Sequence, residues 1–186
     1  MSWPKREEAL DLLKQFTSNK NLIKHALATE AAMRAYAERF NQDPEKWGVT
    51  GLLHDFDYEK YPSSQDHPFK GVKILEEKGY AEEMIQAILA HADHAGVLRE
   101  TLLEKTLYAV DELTGLIVAV SLVRPSKKIS EVKVKSIMKK WKDKAFARGV
   151  NRENIERGAQ EMGMQLKEHI ESVLQAMKNI SEELGL

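Results

Sequence analysis

The feature that most constrains the fold of this chain is the helical spacing of its apolar residues. Between residues 21 and 40, for example, Leu22, Ala26, Met33 and Tyr36 recur at intervals of four, seven and three, which places them on one face of a helix. Nearly every other segment has the same period. The 10 glycines and 5 prolines fall mostly where helices would begin or end. The sequence therefore predicts an all-α fold, a bundle of seven to eight helices.

Capping residues and helix breakers predict where these helices begin and end. Asp43 followed by Pro44 is typical of a helix start, and Pro125 of a helix end. The predicted segments are a short helix ending near Thr17, then helices over about 21–40, 43–55, 68–79, 81–95, 99–123, 130–146 and from 151 onward. Residues 57–66 are predicted to form a loop. A length of 186 residues predicts a single domain over 1–186.

The composition excludes several function classes. The chain contains no cysteine, which rules out disulfides, thiolate zinc sites, iron–sulfur clusters and a cysteine nucleophile. A net charge of −1 gives no overall attraction to nucleic acid or to a membrane. The longest apolar run, residues 115–123, is far shorter than the roughly 20 residues that span a bilayer, and the first residues lack the apolar stretch of a secretory signal. We therefore expect a cytoplasmic protein without a membrane partner.

Histidine and aspartate residues interrupt the apolar faces of four predicted helices. His25, His91 and Asp111 lie at helical spacing from apolar neighbours, and the pair His54-Asp55 directly follows two leucines. A single buried histidine is usually a hydrogen-bonded core residue, but a buried, unpaired aspartate costs roughly several kcal/mol. A divalent cation would balance the carboxylates and bind the neutral imidazoles. The collection therefore favours one or two ions in the bundle core, with Mn, Fe, Co, Ni, Zn or Mg as candidates.

The order of these residues resembles that of the HD superfamily of metal-dependent phosphohydrolases, which is named after an adjacent His-Asp pair. The resemblance covers roughly residues 20–125. It includes the segment from His67 to Leu75, which is similar to the His-Pro-x-x-Gly-x-x-Ile-Leu segment of the HDIG-type subgroup. Where that subgroup has His-Asp-Ile-Gly, this chain ends the motif with Phe56 and Asp57. The resemblance implies an HD-domain bundle with a metal site in its core, about 20–125, and C-terminal helices, about 129–184, packed on it.

The resemblance also implies the roles of the site residues. The ligands of a first metal would be His25, His54, Asp55 and Asp111, and those of a second would be His67 and His91, with Asp55 bridging the two. The expected catalytic residues are Asp55, His67 and His94, although His94 could equally be a solvated histidine at a helix end. The expected reaction is hydrolysis of a phosphomonoester or phosphodiester, with a nucleotide as the expected substrate and metal-activated water as the nucleophile.

A strongly basic segment could supply the cations that a phosphate substrate needs. Residues 124–148 carry a net charge of +8, and the rest of the chain carries −9. Arg124, Lys127 and Lys128 directly follow the helix of Asp111, so a returning loop could bring them over the metal site to bind substrate phosphate. For the other lysines of the segment, a solvated helix face is the better interpretation.

Two further functions remain open at this stage. One is a catalytically silent HD domain that binds a nucleotide as a sensor. The other is a basic helical protein that binds nucleic acid through residues 124–148, where Trp141 and Phe146 are the only aromatic residues that could contact bases. The complete set of metal-binding residue types favours the enzyme, which would act on a small-molecule phosphoester.

Overall fold

The chain folds into α-helices along its whole described length, residues 2–186 of a computed structural model. The ten α-helices of these residues are α1 (Arg6–Phe16), α2 (Lys20–Arg39), α3 (Pro44–Leu53), α4 (Phe69–Glu77), α5 (Glu82–Ala90), α6 (Leu102–Leu122), α7 (Val134–Trp141), α8 (Arg152–Glu161), α9 (Leu166–Asn179) and α10 (Ser181–Leu184). Single turns of 3-10 helix, Asp93–Ala95 and Ile129–Glu131, lie on either side of α6. Within the described range there is no strand, only an isolated bridge between Ser2 and Tyr80. The predicted all-α fold is confirmed.

The helix count exceeds the predicted seven to eight because the last predicted helix is three helices. Gly163 has a φ of +70°, and a left-handed residue at this position ends α8. A second interruption at Ile180 separates α9 from α10. The basic segment is also less helical than predicted, since α7 covers Val134–Trp141 rather than residues 130–146.

Side-chain caps set the starts of the helices that carry the candidate site. The side chain of Asn19 accepts a hydrogen bond from the backbone of Asn21 at 2.9 Å at the start of α2. Asp43 caps α3, as its position before a proline predicts. Thr101 and Glu104 form a reciprocal capping box at the start of α6. Because Thr101 caps this helix, α6 begins at Leu102 and not at the predicted residue 99.

The core is built around α2, which packs against α3, α6 and α9. Met33 on α2, Leu52 on α3, and Leu107 and Leu113 on α6 are all fully buried. Each such side chain contributes roughly 1.5–3 kcal/mol through the hydrophobic effect. This packing brings together the first turns of α2, the end of α3 and the middle of α6.

No helix of residues 2–186 combines the length and the apolar character needed to cross a bilayer. The division of one domain into a metal-binding core and added C-terminal helices stays a prediction.

Candidate metal centre

Six histidine and aspartate side chains from separate parts of the fold converge on one place. They form two groups of potential metal donors, and within each group the donor atoms lie within 4.8 Å of one another. The first group is His25, His54, Asp55 and Asp111, and the second is Asp55, His67 and His91. These are the six residues that the sequence predicts as metal ligands, and the structure brings them all together.

In the first group, imidazole nitrogens face carboxylate oxygens. His25 Nε2 lies 2.9 Å from Asp111 Oδ1, and His54 Nε2 lies 3.4 Å from the same oxygen. His54 Nε2 is also 3.5 Å from Asp55 Oδ2. The two imidazoles approach each other, with 3.2 Å between their Nε2 atoms. Two ring nitrogens pointing at each other leave room for a proton or a cation between them, not for two N–H groups.

The second group uses the other oxygen of Asp55. His67 Nε2 and His91 Nε2 each lie 3.2 Å from Asp55 Oδ1, whereas the first group faces Oδ2. One carboxylate therefore contacts both groups, one oxygen to each. This is the arrangement that a bridging carboxylate requires.

The outer nitrogen of each of the four rings is hydrogen-bonded to an oxygen atom. The four pairs are His54 with the Gly51 carbonyl, His91 with the Ile88 carbonyl, His67 with Asp57, and His25 with the Thr114 hydroxyl. With each Nδ1–H donating outward, loss of the Nε2 proton would leave a lone pair that faces the carboxylates and can bind a cation. Because this is the tautomer that a metal ligand needs, the donor set fits a divalent cation.

Asp57 is a residue of this site whose role the sequence analysis did not identify. Its side chain is buried. Its Oδ1 accepts from His67 Nδ1 at 2.8 Å and its Oδ2 from the backbone N–H of Gly71 at 2.9 Å. A Cβ at Gly71 would lie only 2.7 Å from Asp57 Cγ, so this close approach needs glycine. The sequence offered one sign of this role, because Asp57 stands where the HDIG-type motif has glycine. In the structure, the Asp57 carboxylate orients His67.

The carboxylates keep their charge in spite of burial. Burial alone would raise the pKa of Asp55 and Asp111, but the surrounding imidazoles lower both well below the usual range. For His67, burial opposes the charged ring. The carboxylates of Asp55 and Asp57 outweigh it and raise the pKa of His67 to about 10. The pocket thus attracts positive charge, as a cation site must.

A pocket of about 280 Å³ opens over four of these donors, Asp55, His67, His91 and Asp111. Its remaining wall consists of Tyr58, Ala92, Asp93, His94, Tyr108, Glu112 and Asn154. His94 is held at this wall because its Nε2–H donates to the His67 carbonyl at 2.7 Å. Burial and the neighbouring Asp111 raise the pKa of Glu112 to about 7. Tyr108, Glu112 and Asn154 were missed because a helix position facing a polar pocket has the same sequence pattern as one facing solvent.

The three cations predicted to bind phosphate do not line this pocket. From Asp111, α6 continues to Leu122, roughly 16 Å at 1.5 Å per residue, before the loop that carries them begins. Arg124 lies 3.6 Å from Glu131, and Lys127 and Lys128 are exposed. The helix therefore carries these residues away from the donors. A larger groove, of about 540 Å³, lies elsewhere in the fold, and none of the six donors lines it.

Comparison with known proteins agrees with the geometry of the pocket. A comparison with solved structures found no match. The sequence model of the HD domain family matches residues 22–116, which is half of the chain and includes His25, His54, Asp55, His67, His91, His94 and Asp111. The match is to the HD domain in general, and the HDIG-type assignment stays a prediction. The chain belongs to the HD domain family.

Proposed function

We propose that this protein is a metal-dependent phosphohydrolase that cleaves a phosphomonoester or phosphodiester, with a nucleotide as the expected substrate. The observation that carries the proposal is the contact of Asp55 with both donor groups, one carboxylate oxygen to each. This geometry supports two adjacent cations with Asp55 between them. Cations placed side by side suit displacement at phosphorus, where the attacking and leaving oxygens both need charge stabilisation.

The residues of the pocket have distinct roles in this proposal. His25, His54 and Asp111 would hold the first cation, and His67 and His91 would hold the second. Bound divalent cations would supply neutralisation of phosphate charge and a water of lowered pKa near neutral pH. The carboxylate of Asp55 stays ionised because its pKa is depressed. It would orient the attacking water. His67 and His94, joined through the His67 carbonyl, would contact the scissile phosphate.

The donor types favour certain metals. Each cation would meet two imidazoles and at least one carboxylate, a mixture that suits Mn, Fe, Co, Ni or Zn better than Mg, which prefers oxygen ligands throughout. The ion identity and the number bound are part of the proposal.

The two other functions have less support. In the basic segment, Trp141 donates to Glu156 at 3.0 Å and Lys140 lies over the ring of Phe146, so both aromatic residues have partners within the fold. A silent sensor would not need two donor groups joined by one carboxylate. We therefore retain hydrolysis as the primary proposal.

Elemental analysis of the purified protein, followed by hydrolysis assays, tests the proposal. We expect one or two equivalents of a transition metal per chain, and metal-dependent release of p-nitrophenol from p-nitrophenyl phosphate or its bis ester. A nucleoside monophosphate series then tests the substrate class. Nucleotide binding without turnover would support the sensor instead, and a protein that takes up no metal from solutions of these ions would contradict the enzyme.

A further inference from the structure

Two exposed aliphatic side chains lie side by side at the C-terminal end of α6. Leu122 is 49% exposed and Val123 is 58% exposed. Ser121 before them and Ile129 after them are both 0% exposed, so the segment between these two anchors protrudes from the fold. Exposed apolar groups that are rimmed by polar residues mark surfaces that bind a partner.

A groove of about 360 Å³ extends this apolar surface along α6. Its wall includes Val118, Ala119 and Leu122 of that helix and Leu186 from the end of the chain. Lys24 of α2 lines the same groove, which places an ammonium group beside the aliphatic side chains. Lysines that pack their stems on apolar surface and keep the charge in water are favoured at the boundary between water and an apolar phase.

The charge of the protruding segment is positive. Residues 113–130 contain Arg124, Lys127 and Lys128 but no aspartate or glutamate. Arg124 is paired with Glu131 at 3.6 Å, whereas Lys127 and Lys128 are exposed. The net charge of −1 for the whole chain therefore conceals a local surface that attracts anions.

We propose that this surface docks the protein onto an anionic lipid bilayer. We call the surface the α6 tip, and its residues are Leu122, Val123, Lys127, Lys128 and Lys24. The two aliphatic side chains enter the boundary between headgroups and acyl chains, and the lysines lie at the anionic headgroups. The contact is peripheral, without a membrane-spanning helix. Eleven residues of α6, roughly 16 Å, separate Leu122 from the candidate ligand Asp111, so docking does not involve the metal donors.

Two other partners fit the α6 tip less well. A symmetric dimer through this surface would bring the same lysines of two copies together, and like charges across an interface repel. Nucleic acid would attract the lysines, but its phosphates give Leu122 and Val123 no apolar partner. Trp141 and Phe146, the aromatic residues of the basic segment, already have partners within the fold. An anionic bilayer matches both the charge and the apolar character.

Co-sedimentation with vesicles of phosphatidylcholine, with and without phosphatidylserine, tests the proposal. We expect binding only to vesicles that contain phosphatidylserine, and weaker binding as salt is raised. Lys127→Gln combined with Lys128→Gln should weaken it about 25-fold, about five-fold for each lysine near an anionic surface. Leu122→Asn combined with Val123→Asn should weaken it about 10- to 100-fold, because the aliphatic area that leaves water is lost.

Matched controls come from exposed positions outside the α6 tip. Leu98→Asn is the apolar control, since Leu98 is 80% exposed. Lys73→Gln combined with Lys78→Gln removes two exposed charges at α4. Both controls should bind vesicles as wild type does, and circular dichroism checks that every variant is folded.

The possible outcomes separate the partners. Wild-type protein that does not bind phosphatidylserine vesicles would overturn the proposal, as would either double variant of the α6 tip that binds them as tightly as wild type. Tight binding to a single-stranded oligonucleotide that depends on the lysines but not on Leu122 and Val123 would assign the surface to nucleic acid instead. A dimer in gel filtration that the Leu122 and Val123 variant abolishes would assign it to a second copy. These measurements require no turnover, so the proposed phosphohydrolase can fail without affecting them.

Discussion

Two buried histidines, His54 in the metal pocket and His169 in the core between α2, α6 and α9, differ in what surrounds them. Both side chains are 0% exposed. Burial alone lowers the pKa of an imidazole, and it lowers that of His169 to about 4. For His54, the carboxylates of Asp55 and Asp111 outweigh burial and raise the pKa.

The hydrogen bonds of His169 explain why it stays neutral. Its Nε2–H donates to the Ala109 carbonyl at 2.9 Å, and its Nδ1 accepts from the Tyr36 hydroxyl at 2.6 Å. Both ring nitrogens are used by neutral partners, so no lone pair is left for a cation. The comparison teaches that burial does not identify a metal-binding histidine. Such a histidine is identified by the carboxylates that face its second ring nitrogen, as Asp55 and Asp111 face Nε2 of His54.

The largest effect on the metal pocket should come from Asp55→Ala, because this carboxylate contacts both donor groups. We expect hydrolysis to fall by roughly 10³-fold or more, since the variant loses the bridge and the oxygen that orients the nucleophile. Helical content measured by circular dichroism should stay near native. The control is Asp11→Ala, which removes an exposed carboxylate of α1. Full activity in Asp55→Ala would reject the assignment.

The second prediction separates one metal from two. His67→Ala removes a donor of the second group only, so metal content should fall from about two equivalents toward one. The rate should fall by roughly 10²- to 10⁴-fold. Metal per chain is measured for wild type and variant prepared side by side. A wild-type content near one that the variant retains, even after growth in excess metal, would leave His67 as a substrate contact.

Removal of metal should destabilise the pocket, because Asp55 and Asp111 lose the charge that balances them. A ligand present at 100 times its dissociation constant stabilises by about 2.7 kcal/mol. In a chain of this length, that corresponds to a loss of roughly 5–10 °C in Tm on chelation. Calorimetric scans of metal-loaded protein with and without EDTA measure the difference. Asp55→Ala should respond little to EDTA, and a wild-type protein of proven metal content that did not respond would place the ion outside the core.

Asp57→Asn tests how much the orientation of His67 matters. The amide cannot accept from both His67 Nδ1 and the Gly71 N–H through its two terminal atoms, so the ring loses its support. Replacement of a residue that hydrogen-bonds a metal ligand typically lowers metal affinity or activity by 10- to 100-fold. We expect weaker manganese binding at the second group by this factor, measured by titration, with the first group unchanged. Equal affinities in wild type and variant would show that His67 is held by packing alone.

The smallest effect is a pH dependence that belongs to His169. The pKa of His169 in the folded protein, about 4, lies below the ordinary 6.5. Between pH 4 and pH 6.5, the unfolded chain therefore binds a proton at His169 that the folded chain does not. This contribution to stability is complete above pH 6.5 and is lost as pH falls toward 4. Between pH 7.5 and 5 the loss should be about 2 kcal/mol. Urea unfolding of wild type and His169→Gln at both pH values measures it, and equal pH slopes in the two proteins would contradict the prediction.

Much of the helical fold and the donor set could be predicted from local sequence. The cap at Asp43 and the apolar period are properties of a few neighbouring residues, so they can be predicted without knowing how the helices pack. The split after Glu161 was harder, because a glycine such as Gly163 can lie inside a helix or end it. The order of His25, His54-Asp55 and Asp111 predicted that these residues share a site.

Which charged side chains lie beside the pocket could not be predicted in this way. Arg124 follows the helix of Asp111 in sequence, but the length of α6 carries it roughly 16 Å away. Arg157 lies far from Asp111 in sequence, yet α8 packs on α6 and holds it beside Tyr108. Charge density in the sequence did not indicate which charged residues lie at the wall of this pocket.

The sequence by itself determined which residue types can bind a cation and which helices present them, because helical period and capping depend on residues within one or two turns. Only the tertiary structure decided that each oxygen of Asp55 faces a different pair of histidines, that Asp57 orients His67, and that His169 has no lone pair to offer. Those outcomes depend on hydrogen bonds between residues distant along the chain. Their distances and directions are set by how helices pack, which no local pattern encodes.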